Sequence, residues 1–387
     1  MKAIILGADG YLGWPLSLAL AQRGHEVICI DNLATRRCVK EVGSTSGMPI
    51  ESMENRVASL NKRVRKKARF IKADITKGST LRDVIRREKP DAVVHFAEQR
   101  SAPYSMINEK HAVYTMENNT IGTLKLIYAV KETSPGTHIL KMGTMGEFGT
   151  PDFDIPESAF VNAKIMGEDK YSKILTPKWA GSWYHWTKVH DTHNMLYANS
   201  LWGCTITDVM QGPVYGTRTK EITSSGLNTR FDFDGVWGTV VNKFCAQAVL
   251  GMPLIRFGKG GQVRGFISLQ DSINALVLLL EKPPGKGEYR HVNQFMELFS
   301  TLELEKEVKR AAARVLGKEL ETMQIEDPRV EKESHYYNPK KEILEKLGFK
   351  LAWKLKDNIP EMLRDLEPNK NLLSRYKAVI RPTVKWK

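Results

Sequence analysis

The chain has 387 residues, 42% of them hydrophobic and 26% charged, with a formal net charge of +14. This composition excludes a disordered or collagen-like chain, and no segment approaches the ~18 consecutive apolar residues of a membrane span. The basic excess first suggests nucleic acid or an anionic surface. It is confined, however, to residues 56–72, with eight basic and no acidic side chains, and residues 340–387, with thirteen basic against six acidic. Two local clusters of this kind read as solvated lysine-rich faces in preference to a docking surface for an acidic partner. Cys29, Cys38, Cys204 and Cys245 form no C-x-x-C pair, so neither a zinc site nor a disulfide framework is expected and a reducing compartment fits. The opening MKAIILG holds too short an apolar run for a signal peptide, which makes the cytoplasm the expected location.

In chain order, Ala3–Leu6 reads as a buried strand. It is followed by Gly7-Ala8-Asp9-Gly10-Tyr11-Leu12-Gly13 and an apolar helical pattern to Gly24. Strand, glycine turn and helix are the context in which a pyrophosphate approaches a helix N-terminus. The next strand, Glu26–Ile30, ends on Asp31, a carboxylate placed to accept hydrogen bonds from adenosine ribose hydroxyls. Asp31 would repel a 2′-phosphate and so argues for NAD, while Arg36 and Arg37 leave NADP open. A long connection, 33–67, then inserts beside the adenosine end; it carries the first basic cluster and a predicted helix over about Ile50–Lys66. Strand Arg69–Lys72 is closed by Asp74, a candidate contact of the adenine amino group. A helix over Leu81–Arg87, a strand Ala92–Ala97, a helix over about Met106–Lys131 with Asn118-Asn119, and a strand His138–Lys141 continue the alternation. The pattern predicts an α/β fold, a Rossmann-type doubly wound parallel sheet with a smaller C-terminal substrate domain. Residues 1–211 form the expected NAD-binding domain and 212–387 mainly the second domain, with parts of about 235–275 returning to the first. The candidate cofactor contacts are Gly7, Gly10, Tyr11, Leu12, Gly13, Asp31, Asn32, Arg36, Asp74, Ile75, Ala97, Asn119, Tyr184, Lys188, Gln211 and Val214.

Tyr184-His185-Trp186-Thr187-Lys188 starts a helical segment, which puts Tyr184 and Lys188 on one face. An ammonium near a phenol stabilises the phenolate. Thr144 ends the fifth strand, where its hydroxyl can meet Tyr184 over a substrate. The order of nucleotide site, Thr144, Tyr184 and Lys188 resembles the extended short-chain dehydrogenase/reductase family that acts on nucleotide sugars.

Longer motifs carry a narrower resemblance. Asp31-Asn32-Leu33, the run Glu98–Met106 (EQRSAPYSM), the run Thr144–Pro151 (TMGEFGTP), Leu227–Asp232 (LNTRFD) and Pro328-Arg329-Val330-Glu331 resemble the UDP-sulfoquinovose synthase family. That resemblance implies Thr144, Tyr184 and Lys188 as the catalytic triad, a tightly held NAD, UDP-glucose and sulfite as substrates, and a homodimer. The implied chemistry is oxidation at sugar C4, elimination across C5–C6, addition of sulfite at C6 and reduction at C4. Sugar dehydratases of the wider family follow the threonine with an Asp-Glu pair; here Met145-Gly146 stands instead, with Glu147 one place on. His185 and Glu147 are therefore the candidates for moving protons during elimination. Expected substrate contacts are Thr144, Tyr184, Arg100, Arg230, Asn242, Arg256, Arg264 and Arg329, with Asp271 completing an R-x-F-x-x-x-x-D element around Arg264; planar arginines suit a diphosphate and a second anion. No metal, nucleic-acid or membrane partner is expected, whereas a protein that hands over sulfite remains open. A 4-epimerase or 4,6-dehydratase, and a non-catalytic basic nucleic-acid-binding protein on the same fold, are the alternatives.

Overall fold

A computed structural model describes residues 1–168, 170–329 and 336–385; Val330 and Glu331 lie outside them. Seven strands form one parallel sheet: β1 (Lys2–Leu6), β2 (Glu26–Asp31), β3 (Arg69–Lys72), β4 (Ala92–His95), β5 (His138–Thr144), β6 (Ile206–Gln211) and β7 (Tyr289–Gln294). Their spatial order is β7-β6-β5-β4-β1-β2-β3. β1 pairs with β2 through Leu6↔Ile30 and with β4 through Leu6↔His95, so the strand order reverses at β1. In such sheets a crevice opens beyond the strand C-termini at this switch point. The central strands are continuous apolar runs, as a sheet covered on both faces requires: Ala3, Ile4, Ile5, Leu6, Val93 and Val94 are buried between helices.

The insertion holds two short helices, Ala34–Glu41 and Met53–Asn61, in place of the single longer helix expected. Helix Glu109–Thr133 contains one wide π turn over Glu117–Ile121. After β6 the chain builds a second core from Phe231, Phe233, Phe244, Leu304, Leu355 and Met362. The return to the first sheet comes late: helix Leu269–Glu281 packs against helix Gly13–Gln22, and β7 completes the edge. That return overlaps only the end of the 235–275 stretch expected; helix Val240–Leu250 belongs with the second core. Among the described residues, no helix is long and apolar enough to cross a membrane.

Candidate active site

The C-terminal ends of β1, β2, β4, β5 and β6 open into one cavity of about 920 Å³ that continues under the second core. At its base lies the glycine turn. Gly7 has φ +81°, and a Cβ there would stand 2.5 Å from the Phe96 carbonyl carbon; at Gly13 it would stand 2.2 Å from the Gly7 oxygen. Only glycine allows this turn to lie flat against β4 and the helix start. Gly7, Gly10, Tyr11, Leu12, Gly13, Asp31, Asn32, Ile75, Ala97, Gln211 and Val214 all line the cavity. Asp31 accepts from the Asp9 and Leu33 amides at 2.8 and 2.6 Å, and burial, reinforced by nearby Asp9, pushes its carboxyl up to about 6. A flat glycine cradle with a carboxylate aimed at its rim fits a dinucleotide: the turn would carry the pyrophosphate and Asp31 the ribose.

Three expected cofactor contacts stand elsewhere. Arg36 forks onto Asp9 at 2.7 and 2.8 Å and reaches the Glu51 carbonyl, away from the cavity wall. Asp74 is occupied by Thr76 and Asn32, and its neighbours Ala73 and Ile75 form the wall. Asn119 faces inward. Its oxygen accepts from the Gln99 amide at 2.7 Å, and its nitrogen donates to the Gln99 carbonyl at 2.8 Å and to Thr187 Oγ1 at 2.9 Å. The π turn shifts the helix phase so that Asn118 lines the cavity instead.

Ser182 caps helix Trp183–Trp202 by accepting from the His185 amide at 3.2 Å. That cap places Tyr184 and Lys188 on the cavity face of the first turns. Tyr184 is hydrogen-bonded to Thr144; burial pushes the phenol up to about 12, and the Arg100 charge opposes that rise. The Lys188 ammonium lies 5.8 Å from the Tyr184 ring centroid, donates to the Met142 carbonyl at 2.6 Å and pairs with the Glu98 carboxylate. His185 stacks obliquely on Tyr184, with ring centroids 4.8 Å apart. Its Nδ1 meets Ser182 Oγ at 2.9 Å. Burial, with Arg329 and Arg264 adding to it, drives this imidazole down to about 3, so it is neutral. The ring occupies the space above Gly146: a Cβ there would lie 2.5 Å from both Cδ2 and Nε2.

Glu147 turns away from the cavity. Its fully buried carboxylate is held by Lys178 at 2.5 Å, Thr192 at 3.0 Å and Lys141 at 3.5 Å. The candidate proton carrier of the turn is therefore an anchor, and the expectation for it is corrected.

Arg100, Arg264 and Arg329 line the cavity. Arg100 pairs with Asp232 and lies 5.4 Å over the Trp237 ring. Burial works against ionisation of Asp232, but Arg230 and Arg100 hold its carboxyl below the ordinary value. Arg264 stands 5.7 Å over the Tyr337 ring and Arg329 6.0 Å over the Phe257 ring. Arg230, Arg256 and Asn242 stand outside the wall, each with an internal partner. Arg230 pairs with Asp232 at 3.0 Å, Arg256 with Glu305 at 2.9 Å, and Asn242 accepts from the Gly216 amide at 3.2 Å. Asp271 donates its amide to the helix cap, Ser268 Oγ, at 3.0 Å, and its carboxylate accepts from the Ser268 hydroxyl and from the Ala352 and Trp353 amides.

Sequence reasoning missed Glu98, Lys243 and Trp237, all in the wall, together with Pro382 and Val384 of the C-terminal segment. That segment is tied down by the Gly235 amide donating to the Val379 carbonyl at 2.8 Å, and Val384 packs beside Cys38 and Trp237. Tyr184 and Lys188 carried a spacing signal. Glu98 sat inside a recognised motif without a partner to give it meaning, and the C-terminal segment showed only its basic charge, which reads as a solvated face.

Compared with known proteins, residues 3–293 match the NAD dependent epimerase/dehydratase family. A UDP-sulfoquinovose synthase of Sulfolobus acidocaldarius is 56% identical over 387 residues, covering 100% of this chain and 98% of the relative. A chloroplastic UDP-sulfoquinovose synthase of Spinacia oleracea is 40% identical over 394 residues, covering 100% of this chain and 79% of the relative. Among solved structures, a UDP-glucose-4-epimerase from Stenotrophomonas maltophila with bound NAD and formylated UDP-arabinopyranose superposes with a TM-score of 0.73 at 19% identity, covering 97% of this chain and 99% of that one; this likeness concerns the fold. The chain thus belongs to the NAD dependent epimerase/dehydratase family and, by its full-length relatives, to the UDP-sulfoquinovose synthases within it.

Proposed function

We propose that this protein converts UDP-glucose and sulfite into UDP-sulfoquinovose with NAD held in the cavity throughout. When bound, NAD accepts a hydride from sugar C4 and returns it at the end of the turnover. Tyr184, supported by Thr144 and the Arg100 charge, takes the O4 proton and later gives it back. The C4 ketone acidifies the C5 proton, and elimination expels the C6 hydroxyl. Sulfite, entering as bisulfite, then forms the C6–S bond on the resulting enone, and its proton goes to C5 to restore the C4 ketone. The neutral His185, with Nδ1 committed to Ser182, keeps Nε2 for carrying a proton between C5 and the departing hydroxyl. Arg264 and Arg329 suit the diphosphate, and Arg100 the region of the incoming anion.

The observation that carries this reading is the Gly146 turn. A neutral imidazole fills the space where a larger residue would project, and the neighbouring carboxylate is turned inward. An anion can then approach C6 without a facing negative charge. Incubation with UDP-glucose, with and without sulfite, and weighing of the product tests it. A sulfonated sugar nucleotide formed only with sulfite supports the reading; a new sugar nucleotide formed equally without sulfite overturns it. Tyr184→Phe should lower turnover by about 10²–10⁴-fold.

Pairing with a second copy is part of the same reading. Tyr197, Leu201, Leu124 and Tyr128 are exposed on two adjoining helices, where Tyr128 meets Trp202 at 5.2 Å between ring centroids. A contiguous apolar face of this kind is covered in soluble assemblies. Leu201→Glu should shift sedimentation from dimer to monomer. The four cysteines are buried and free, which suits a cytoplasmic setting.

A further inference from the structure

Asp31 and Glu98 are the only carboxylates in the cavity wall among the described residues, and Asp31 belongs to the adenosine end. Glu98 has no part in the chemistry proposed above. Its backbone is nevertheless closely specified: the Glu98 amide donates back to the Phe96 carbonyl at 2.8 Å, a three-residue turn directly after β4. The next residue, Gln99, is clamped on both backbone groups by Asn119, and Asn119 is itself tied to Thr187 in the helix that bears Lys188. One side chain thus holds the Glu98 turn and the Lys188 helix in a common frame.

Within that frame the Glu98 carboxylate meets the Lys188 ammonium, both side chains at most 4% exposed. The His95 Nε2 stands 3.3 Å from the same carboxylate. Burial keeps the His95 imidazole neutral, down to about 3, so it brings no competing cation. A buried ammonium without an anion loses its proton readily, because desolvation penalises the charged form. Burial does pull the Lys188 ammonium down, with Asp191 on its own helix and Asp208 on β6 opposing. Around the pair, Lys141 on β5 acts on the His95 imidazole, and Arg100 beyond β4, Glu147 after β5 and Lys141 act on the Tyr184 phenol.

We propose that Glu98 is a positioning residue, the counter-ion that keeps Lys188 charged and fixed beside the Tyr184 ring. The proposal takes from the preceding reading only that Tyr184 and Lys188 work as a pair. Neutral Lys188 would swing free of the Met142 carbonyl and lose its hold on the proton balance of Tyr184. Glu98 prevents this at the pH where the phenol must both take and return a proton.

The test uses NAD-loaded protein without sugar, so it stands apart from the identity of the substrate. The Lys188 Cε resonance is followed against pH by carbon-13 NMR, assigned by its loss in Lys188→Met. The Tyr184 phenolate is followed by ultraviolet titration, assigned by its loss in Tyr184→Phe. Removing an anion disfavours protonation at both neighbours, so in Glu98→Gln at least one of the two midpoints should fall by about one pH unit. Glu98→Asp, which keeps the charge at a longer reach, should shift the same midpoint less and in the same direction. If both midpoints stay where they are in a Glu98→Gln protein of unchanged NAD content and melting temperature, the proposal is wrong. Should Glu98→Gln fail to fold, the Glu98→Asp titration decides alone: two unmoved midpoints overturn the assignment.

Discussion

A single methyl group on Gly146 would lie 2.5 Å from the His185 ring, inside any tolerable contact. Gly146→Ala should therefore displace the imidazole, costing about 1–3 kcal/mol of stability as an overpacked substitution. It should also lower turnover more than it raises KM for the sugar nucleotide, a split that steady-state kinetics can read. Asp31 acts at the other end of the cavity. Its carboxyl is pushed up to about 6 by burial and by Asp9, and only the ionised form accepts two ribose hydroxyls. NAD affinity measured by calorimetry should weaken as the pH falls through about 6. The sign for the cofactor-free protein is opposite: a carboxyl raised above its unfolded value costs stability as pH rises from about 4 to 6, a cost the ribose hydroxyls offset. At this scale the sequence was informative where chemistry is local. Gly7, Gly10, Gly13 and Asp31 follow from one strand-turn-helix unit, and Tyr184 with Lys188 from one helix face. Arg230 and Arg256 look identical in sequence to Arg100 and Arg264. What separates them is placement by the fold: Arg230 is buried behind Asp232 and Arg256 is turned onto Glu305, whereas Arg100, which shares Asp232, still lines the cavity.

At the scale of elements, the insertion between β2 and β3 changes meaning. Its basic residues read as a solvated face, yet Arg56 is fully buried, paired with Asp9 of the glycine turn and lying 4.7 Å over the Trp14 ring. Helix Met53–Asn61 is thereby bolted to the cofactor cradle. Arg56→Met leaves Asp9 with Arg36 alone and should cost about 3 kcal/mol in denaturant unfolding; NAD should also dissociate faster from the loosened turn. Helix Glu109–Thr133 gives the complementary lesson. Its apolar periodicity was legible, but the π turn was not; it coincides with Asn119, whose side chain holds both backbone groups of Gln99, a partner twenty residues away that periodicity does not register. One residue of phase separates the predicted contact, Asn119, from the one in the wall, Asn118.

For the whole molecule, the parallel sheet and the position of its crevice were legible from alternation of strand and helix. The late return of the chain at β7 was not, because the second core interrupts the alternation for 77 residues between Gln211 and Tyr289. Burial on this scale also sets acid sensitivity. His95, His138, His185 and His291 are all held neutral by burial, the first at about 3, His138 at about 4 and the others at about 3. An unfolded histidine protonates near pH 6.5. The folding contribution of these four groups is thus fully present above that pH and is lost as pH falls from about 6.5 towards 4. Melting temperature should drop steadily across this window, with proton uptake on unfolding approaching four, as calorimetry in buffers of different ionisation enthalpy would record.

The segment around Pro382 and Val384 has a practical consequence at the bench. Because these residues form part of the cavity wall just beyond the Val379 carbonyl that the Gly235 amide holds, a purification handle fused beyond them would pull on that strap of the wall. Met1 precedes β1 at the opposite end of the sheet, beside His25. A handle fused there leaves the strap seated, and protein prepared that way should come off the column with more of its NAD.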